Sequence, residues 1–137
     1  MKIARLFLAI ALFIPIISSN GQSSKKEVSS SSSDKIEAYY FHFTARCVTC
    51  RTIEAKAKEN LESLYPNQMK QGLITFQSIN MEEASSKPLA EKLGVSGQTL
   101  LLVKGDQKIN LSNEGFMYAM VKPDKFREII NEKLTDC

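Results

Sequence analysis

Residues 39–50 read YYFHFTARCVTC, an aromatic run that leads within a few residues to two cysteines separated by two others. The run lies in a predicted strand at residues 36–43, whose two faces are both largely apolar, as in a strand covered on both sides. From Cys50 onward, apolar residues recur at steps of three and four, as on one face of a helix; they are Ile53, Ala57, Leu61 and Leu64. The stretch therefore predicts a central strand that runs into a helix, with the cysteine pair at the start of that helix.

The middle of the chain predicts a second strand and a second helix. Pro66 ends the first helix, because a proline cannot continue its hydrogen bonding. A strand is expected at residues 73–79. A short helix follows, with Pro88 in its first turn and Gly94 at its C-terminal end. The order up to this point is strand, helix, strand, helix.

The last third of the chain predicts a hairpin and a final helix. Residues 99–103 are continuously apolar, residues 107–111 alternate, and Gly105-Asp106 between them suits a two-residue hairpin turn. Pro123 opens the last helix, which has one apolar side formed by Phe126, Ile129, Ile130 and Leu134. The whole pattern predicts an α/β fold, a mixed sheet flanked by helices on both faces.

The N-terminus has the layout of a secretory signal peptide, expected to span residues 1–21. Lys2 and Arg5 precede an apolar run at residues 6–17, and small and polar residues follow it. As a helix, these twelve residues would cover only about 18 Å, well short of the roughly 30 Å of a bilayer core. The chain is therefore expected to be exported, either to the periplasm or out of the cell, with an uncleaved N-terminal anchor as the alternative.

Two further divisions follow from composition. Residues 22–34 are rich in serine and lysine and too poor in apolar surface to fold, so they predict a disordered linker. Residues 35–137 form one compact domain, which is expected to act as a monomer. The formal net charge is only +3 and both signs are interleaved, so no nucleic-acid surface is predicted.

The cysteine pair at the start of the helix is typical of a redox dithiol. Cys47 lies near the helix N-terminus, where partially positive N–H groups favour a thiolate, and Arg46 and Arg51 add positive charge. A thiolate is the species that attacks a disulfide, and a second cysteine then resolves the mixed disulfide. Cys47 is thus the predicted nucleophile, and Cys50, on the inward face, is the predicted resolving residue.

Other uses of the pair remain open. A purely structural disulfide is disfavoured, because closing so short a loop removes little chain entropy. A zinc site needs four ligands, which would require His42, a partner chain or Cys137. A soft three-coordinate ion such as arsenite would suit Cys47, Cys50 and Cys137. The simpler expectations are a packed core position for His42 and a free thiol for Cys137, with no resident metal or cofactor.

Three stretches resemble the thioredoxin-fold family: CVTC at 47–50, INME at 79–82 and LGVSGQT at 93–99. The resemblance covers nearly all of the predicted domain, without the family's usual first strand and helix. More narrowly, YYFHFTARCVTC resembles the ArsF-like or nitroreductase-subunit group of small exported bacterial proteins. The resemblance implies a thiol:disulfide oxidoreductase with protein disulfide or dithiol clients and a membrane or periplasmic redox partner. A thioredoxin fold kept only for binding proteins is the alternative.

The sequence departs from the family pattern at three positions. Gln98 stands where the family has a cis-proline before a threonine, here Thr99, in the loop that faces the dithiol. That proline shapes the client groove and discourages metal binding, so Gln98 and Thr99 are singled out as supporting residues. Phe41 occupies the position, six before the first cysteine, where many thioredoxins carry a buried acid, and Arg46 replaces a common tryptophan.

Overall fold

The computed structural model describes residues 34–137. The predicted signal peptide and residues 22–33 of the predicted linker lie outside the described residues. The elements, in chain order, are β1 (Ile36–His42), α1 (Val48–Leu64), α2 (Pro66–Lys70), β2 (Ile74–Asn80), a 3₁₀ turn (Ala84–Ser86), α3 (Lys87–Leu93), β3 (Thr99–Lys104), β4 (Gln107–Asn110), α4 (Ser112–Tyr118) and α5 (Pro123–Asp136).

The four strands form one mixed sheet in the order β2-β1-β3-β4. β1 pairs in parallel with β2 and antiparallel with β3, and β3 pairs antiparallel with β4. The parallel pair is joined by a crossover through α1, as a parallel connection requires. Within residues 34–137, no strand or helix precedes β1. This topology, with a Cys-x-x-Cys pair at the start of α1, confirms the predicted thioredoxin-like α/β fold.

The sheet has a hydrophobic core on each face, as the two apolar faces of β1 predict. One core joins alternate residues of β1 to helices α1 and α5; its fully buried members include Tyr40, Ile53, Leu61, Phe126 and Ile130. The other is smaller and joins the remaining β1 residues to α3; its members are Tyr39, Phe41, Ala90, Leu93, Leu101 and Val103. Adjacent residues of β1 therefore point to different helices.

Several local predictions are confirmed. Gly94 ends α3 in the left-handed conformation with φ of 72°, and Gly105 makes the hairpin turn with φ of 57°. α1 stops at Leu64, as the proline at 66 predicts, although Pro66 also begins the short helix α2. In the described part of the chain, no helix is both long and apolar enough to cross a membrane.

Helix α4 is an element that the sequence analysis missed. Its central Gly115 is buried against α1, and a Cβ atom at that position would lie 2.9 Å from Cγ2 of Ile53. Only a residue without a side chain allows this approach. Because α4 lies between β4 and α5, it brings the turn that follows it, including Met120, next to the start of α1.

Candidate redox site

The two cysteines occupy different positions at the start of α1. Cys47 is the N-cap residue, with extended backbone (φ −73°, ψ 166°), and is exposed. Cys50 lies one turn later on the inward face and is only 5% exposed. The pair forms a disulfide with an S–S distance of 2.16 Å and a Cα–Cα distance of 5.1 Å. Solvent thus reaches one sulfur-bearing residue far more readily than the other, as predicted.

The sulfur of Cys47 performs the capping role that a serine or aspartate oxygen performs in other helices. Its Sγ accepts a hydrogen bond from the backbone N–H of Cys50 at 3.2 Å. The helix has no acidic residue in its first turn, so no nearby carboxylate in that turn competes for the positive end of the dipole. After reduction, the same N–H group is available to a Cys47 thiolate, which it would stabilise.

The loop that leads from β1 to Cys47 is held to the end of β2. The backbone N–H of Thr44 donates to Glu82 Oε2 at 2.7 Å, and Asn80 Nδ2 donates to Thr44 Oγ1 at 3.0 Å. Hydrogen bonding to the side chain and backbone of Thr44 lowers the pKa of Glu82, so the carboxylate is ionised at neutral pH. These contacts fix the path by which the chain reaches the N-cap.

Tyr40 connects the sheet to the resolving cysteine. Its side chain is 1% exposed, and its hydroxyl donates to the backbone carbonyl of Cys50 at 2.7 Å. The same oxygen accepts a hydrogen bond from Nε2 of Gln98. Burial raises the pKa of Tyr40, so the phenol remains a proton donor at neutral pH. The sequence pattern predicts only that this tyrosine lies in a strand covered on both sides, and it does not reveal the contact with the dithiol.

Phe41, the residue compared with the family's buried acid, packs away from the dithiol. Phe41 lies in the core between the sheet and α3, with Leu101 and Val103, on the face away from α1. Tyr40 is the residue of β1 that points toward the start of α1. The residue of β1 that lies under the dithiol is thus Tyr40, because the length of the connecting loop decides which strand position faces the start of α1.

The structure brings Gln98 to the site but gives Thr99 a more distant role. Gln98 reaches the site through Tyr40, and every peptide bond of residues 34–137, including those around Gln98, is trans. Thr99 begins β3 opposite Phe41, and its hydroxyl donates to the Gly97 carbonyl at 3.0 Å. Thr99 thus shapes the loop that carries Gln98.

The two predicted supporting arginines differ in their partners. Arg46 is half-buried and forms an ion pair with Glu54, one turn after Cys50 on α1. The Glu54 carboxylate therefore offsets much of the positive charge that Arg46 would otherwise place near Cys47. Arg51 is exposed on α1, and its backbone N–H donates to the Cys47 carbonyl at 3.2 Å.

Two exposed apolar side chains lie near the start of α1, beside the dithiol. Val48, the residue after Cys47, is 71% exposed. Met120, which is 50% exposed, lies over the turn between the cysteines, where its Sδ is 3.2 Å from Thr49 Oγ1. Because α4 was not predicted, the position of Met120 beside the dithiol could not be predicted either.

His42 is buried, as the simpler sequence interpretation predicts. Its Nδ1 donates to the Phe43 carbonyl at 2.9 Å, so this nitrogen carries the proton. The ring lines a pocket of about 370 Å³ at the ends of β1 and β2, together with Ser78, Asn80 and Glu83 among others. One ring nitrogen is thus satisfied, and the histidine contacts neither cysteine in the hydrogen bonds described.

The structure separates Cys137 from the dithiol, which corrects the three-thiol hypothesis. The Cys137 carbonyl accepts a hydrogen bond of 2.9 Å from Nζ of Lys104. Lys104 pairs with Ile36, at the end of the sheet opposite Phe41 and Thr99, roughly 17 Å away along the strands. Among residues 34–137, no three His, Cys, Asp or Glu side chains come together as a metal site. A soft ion held by all three cysteines does not fit this geometry.

The comparisons with known proteins are limited. No family model matches the chain, and no curated protein matches it. Among solved structures, the chain is similar to thioredoxin O2 from Arabidopsis thaliana in its oxidised state, with 22% identity and a TM-score of 0.47. The similarity covers 72% of this chain and 75% of that one. The thioredoxin-like fold therefore rests on the strand order and the dithiol position described above.

Proposed function

We propose that this protein is a thiol:disulfide oxidoreductase that works through Cys47 and Cys50. The observation that carries the proposal is the asymmetry of the pair: an exposed cysteine at a helix N-cap, bonded to a buried cysteine one turn later. An attacking thiolate must be reachable and stabilised, whereas a resolving thiol must lie close behind it. A structural disulfide has no need of this arrangement.

In the reducing direction, the reaction has two exchange steps. The Cys47 thiolate attacks one sulfur of a client disulfide, forms a mixed disulfide and expels the other client sulfur as a thiolate. Cys50 then loses its proton to water and attacks the Cys47 sulfur, which expels the second client thiolate. Two electrons pass from the protein to the client, whose two thiolates take up two protons. The oxidising direction is the same sequence reversed.

The test uses the reduced full chain and a protein disulfide such as insulin. Wild type and Cys137→Ser should catalyse its reduction by dithiothreitol at similar rates, whereas Cys47→Ser should reduce catalysis to background. Circular dichroism would establish that the variants keep the fold. Catalysis that persists in Cys47→Ser, or a wild type that never exceeds background in either direction, would refute the proposal.

The clients of this reaction are proposed to be proteins with disulfides or dithiols, as the sequence resemblance implies. Cys50→Ser removes the resolving thiol, so clients should remain attached to Cys47 and be released by reductant. The matched control is the Cys47→Ser/Cys50→Ser double variant, which has no attacking sulfur. Attachment to the control at the same level would show that the captured proteins are not clients of Cys47.

We also propose that the protein is exported, to the periplasm or beyond. The support for export is the signal-peptide pattern of residues 1–21. The narrower ArsF-like grouping is also a proposal, and it is supported by the sequence resemblance alone. Residues 1–34 fused to an alkaline phosphatase, which is active only outside the cytoplasm, should give an active enzyme. The same fusion without residues 6–17 should be inactive. Equal activity of the two fusions would contradict export by this segment.

A further inference from the structure

The hydrogen bonds of Tyr40 have a fixed direction. The Cys50 carbonyl is an acceptor only, so the single phenol proton of Tyr40 is used in that bond. The phenol oxygen must then accept from Gln98, which presents its amide nitrogen. Gln98 thus orients the hydroxyl, and the hydroxyl ties the first turn of α1 to the central strand of the sheet.

The hydrogen bond from Tyr40 anchors the backbone of Cys50 but not that of Cys47. Cys50 is buried, and its backbone is tied to β1 through Tyr40. Cys47 is exposed at the end of the helix, where its neighbours Val48 and Arg46 are at least partly exposed. When the disulfide is reduced, the two sulfurs must separate to van der Waals distance. An anchored Cys50 keeps its place, so the separation is taken up at Cys47, on the side from which a client arrives.

We propose that Tyr40 and Gln98 are positioning residues that hold Cys50 in line to attack the mixed disulfide on Cys47. The inference rests on the proposed function and specifies which step these residues serve. The first exchange, made by Cys47, does not need the anchor. The second exchange is intramolecular and depends on how accurately the attacking sulfur is held.

The chain offers substitutions that separate this role from packing. Tyr40→Phe removes the hydroxyl and leaves the ring in the core. Tyr39→Phe is the matched control, because Tyr39 is the adjacent buried tyrosine of β1 and belongs to the core on the opposite face. Gln98→Glu keeps the side-chain length but introduces a carboxylate, which accepts the phenol proton and draws it away from the Cys50 carbonyl.

The experiment follows reduced full chain, with Cys137→Ser in every variant, after mixing with the disulfide 5,5′-dithiobis(2-nitrobenzoate). The first thionitrobenzoate is released by the attack of Cys47 at a rate that depends on reagent concentration. The second is released by the attack of Cys50 at a rate that does not. Tyr40→Phe and Gln98→Glu should slow the second phase about tenfold, as expected for the loss of one hydrogen bond at the reacting group, and leave the first within about twofold. Tyr39→Phe should leave both phases unchanged.

The pH dependence gives a second readout. The introduced carboxyl of Gln98→Glu becomes a donor when it is protonated, so the second phase should return toward the wild-type rate, measured at the same pH, as the solution is acidified. A merely structural defect would not recover in this way. Gln98 is partly exposed, so this variant tests the inference even if Tyr40→Phe does not fold.

The possible failures are distinguishable. If wild type shows both phases, and both variants keep the second phase within about twofold of wild type, the inference is wrong and the proposed function stands. If wild type releases the first thionitrobenzoate but keeps the second one bound to Cys47, Cys50 does not resolve. The proposed function and the inference then fail together.

Discussion

The sulfur of Cys47 accepts the backbone N–H of Cys50, three residues later, at 3.2 Å. In the reduced protein, this contact and the helix N-terminus should stabilise a thiolate on Cys47 but not on the buried Cys50. We therefore expect the Cys47 thiol pKa to lie below about 8.5, and that of Cys50 above it. Single-cysteine variants titrated by the ultraviolet absorbance of the thiolate measure both. Equal values would contradict the assigned roles.

The ion pair between Arg46 and Glu54 should determine how strongly the Arg46 guanidinium lowers the pKa of Cys47. Glu54→Gln should free the guanidinium and lower the Cys47 pKa by about 0.3 to 0.5 unit, a modest effect because both side chains are partly exposed. Arg46→Ala should raise it. Glu59→Gln is the control, because Glu59 lies farther along α1, where it pairs with Lys56. An equal shift in the control would mean that the pair has no specific effect.

Cys137 should contribute nothing to exchange. Burial raises the pKa of its thiol, so at neutral pH less of it is thiolate and alkylation should be slower than at Cys47. Folding favours the protonated Cys137 thiol, because burial raises its pKa. The thiol therefore contributes fully to stability below its ordinary pKa of 9.0, and this contribution is lost as the pH rises above that value. Cys137→Ser should therefore reduce the loss of stability at alkaline pH, as followed by denaturant unfolding.

The same variant tests the metalloid hypothesis. If Cys137→Ser binds arsenite with the affinity and stoichiometry of wild type, any such binding belongs to the dithiol alone. A requirement for Cys137 would contradict its position at the far end of the sheet.

Gly115 should be intolerant of a side chain. Alanine at this position gains up to about 1 kcal/mol in helix propensity, but its Cβ would overlap Ile53, whose branched side chain has little rotamer freedom in a helix. Overpacking of this kind costs about 1–3 kcal/mol, so after the gain in helix propensity Gly115→Ala should lower the free energy of unfolding by up to about 2 kcal/mol. Gly97→Ala, where nothing lies within 4 Å, should change it little. In an Ile53→Ala background, the Gly115→Ala penalty should disappear, and its persistence would assign the cost to another cause.

The elements with strong local patterns were predictable. The stripe of α1 and the glycine turn at 105 each follow from residues close together in the chain, and both match the structure. Helix α4 lacks such a stripe, because its buried residue is Gly115, and the buried residue that caps its C-terminal end is Ala119. Small residues give close packing without an apolar signal, so the periodicity that reveals α1 is weak here.

The chemistry of the site was predictable in part for a similar reason. The identity and spacing of Cys47 and Cys50 are local facts, and they indicate the dithiol directly. Strand alternation also predicts that Tyr40 and Phe41 point to opposite faces. Which face receives α1 depends on the crossover, so the sequence could not show that Tyr40 meets Cys50. The pairing of Arg46 with Glu54 likewise depends on how the loop enters the helix.

The disulfide joins residues that are close in sequence, whereas the sheet beneath it joins strands that are far apart in sequence. Closing the ring between Cys47 and Cys50 needs only residues that lie within one short stretch of the chain, so an oxidant can close it in a nascent chain. β1, in contrast, acquires its neighbours from much later segments, and such pairings form slowly. A chain oxidised early would carry the correct covalent bond with both sulfurs alike in their surroundings. The distinction between attacker and resolver is acquired only when the later strands arrive.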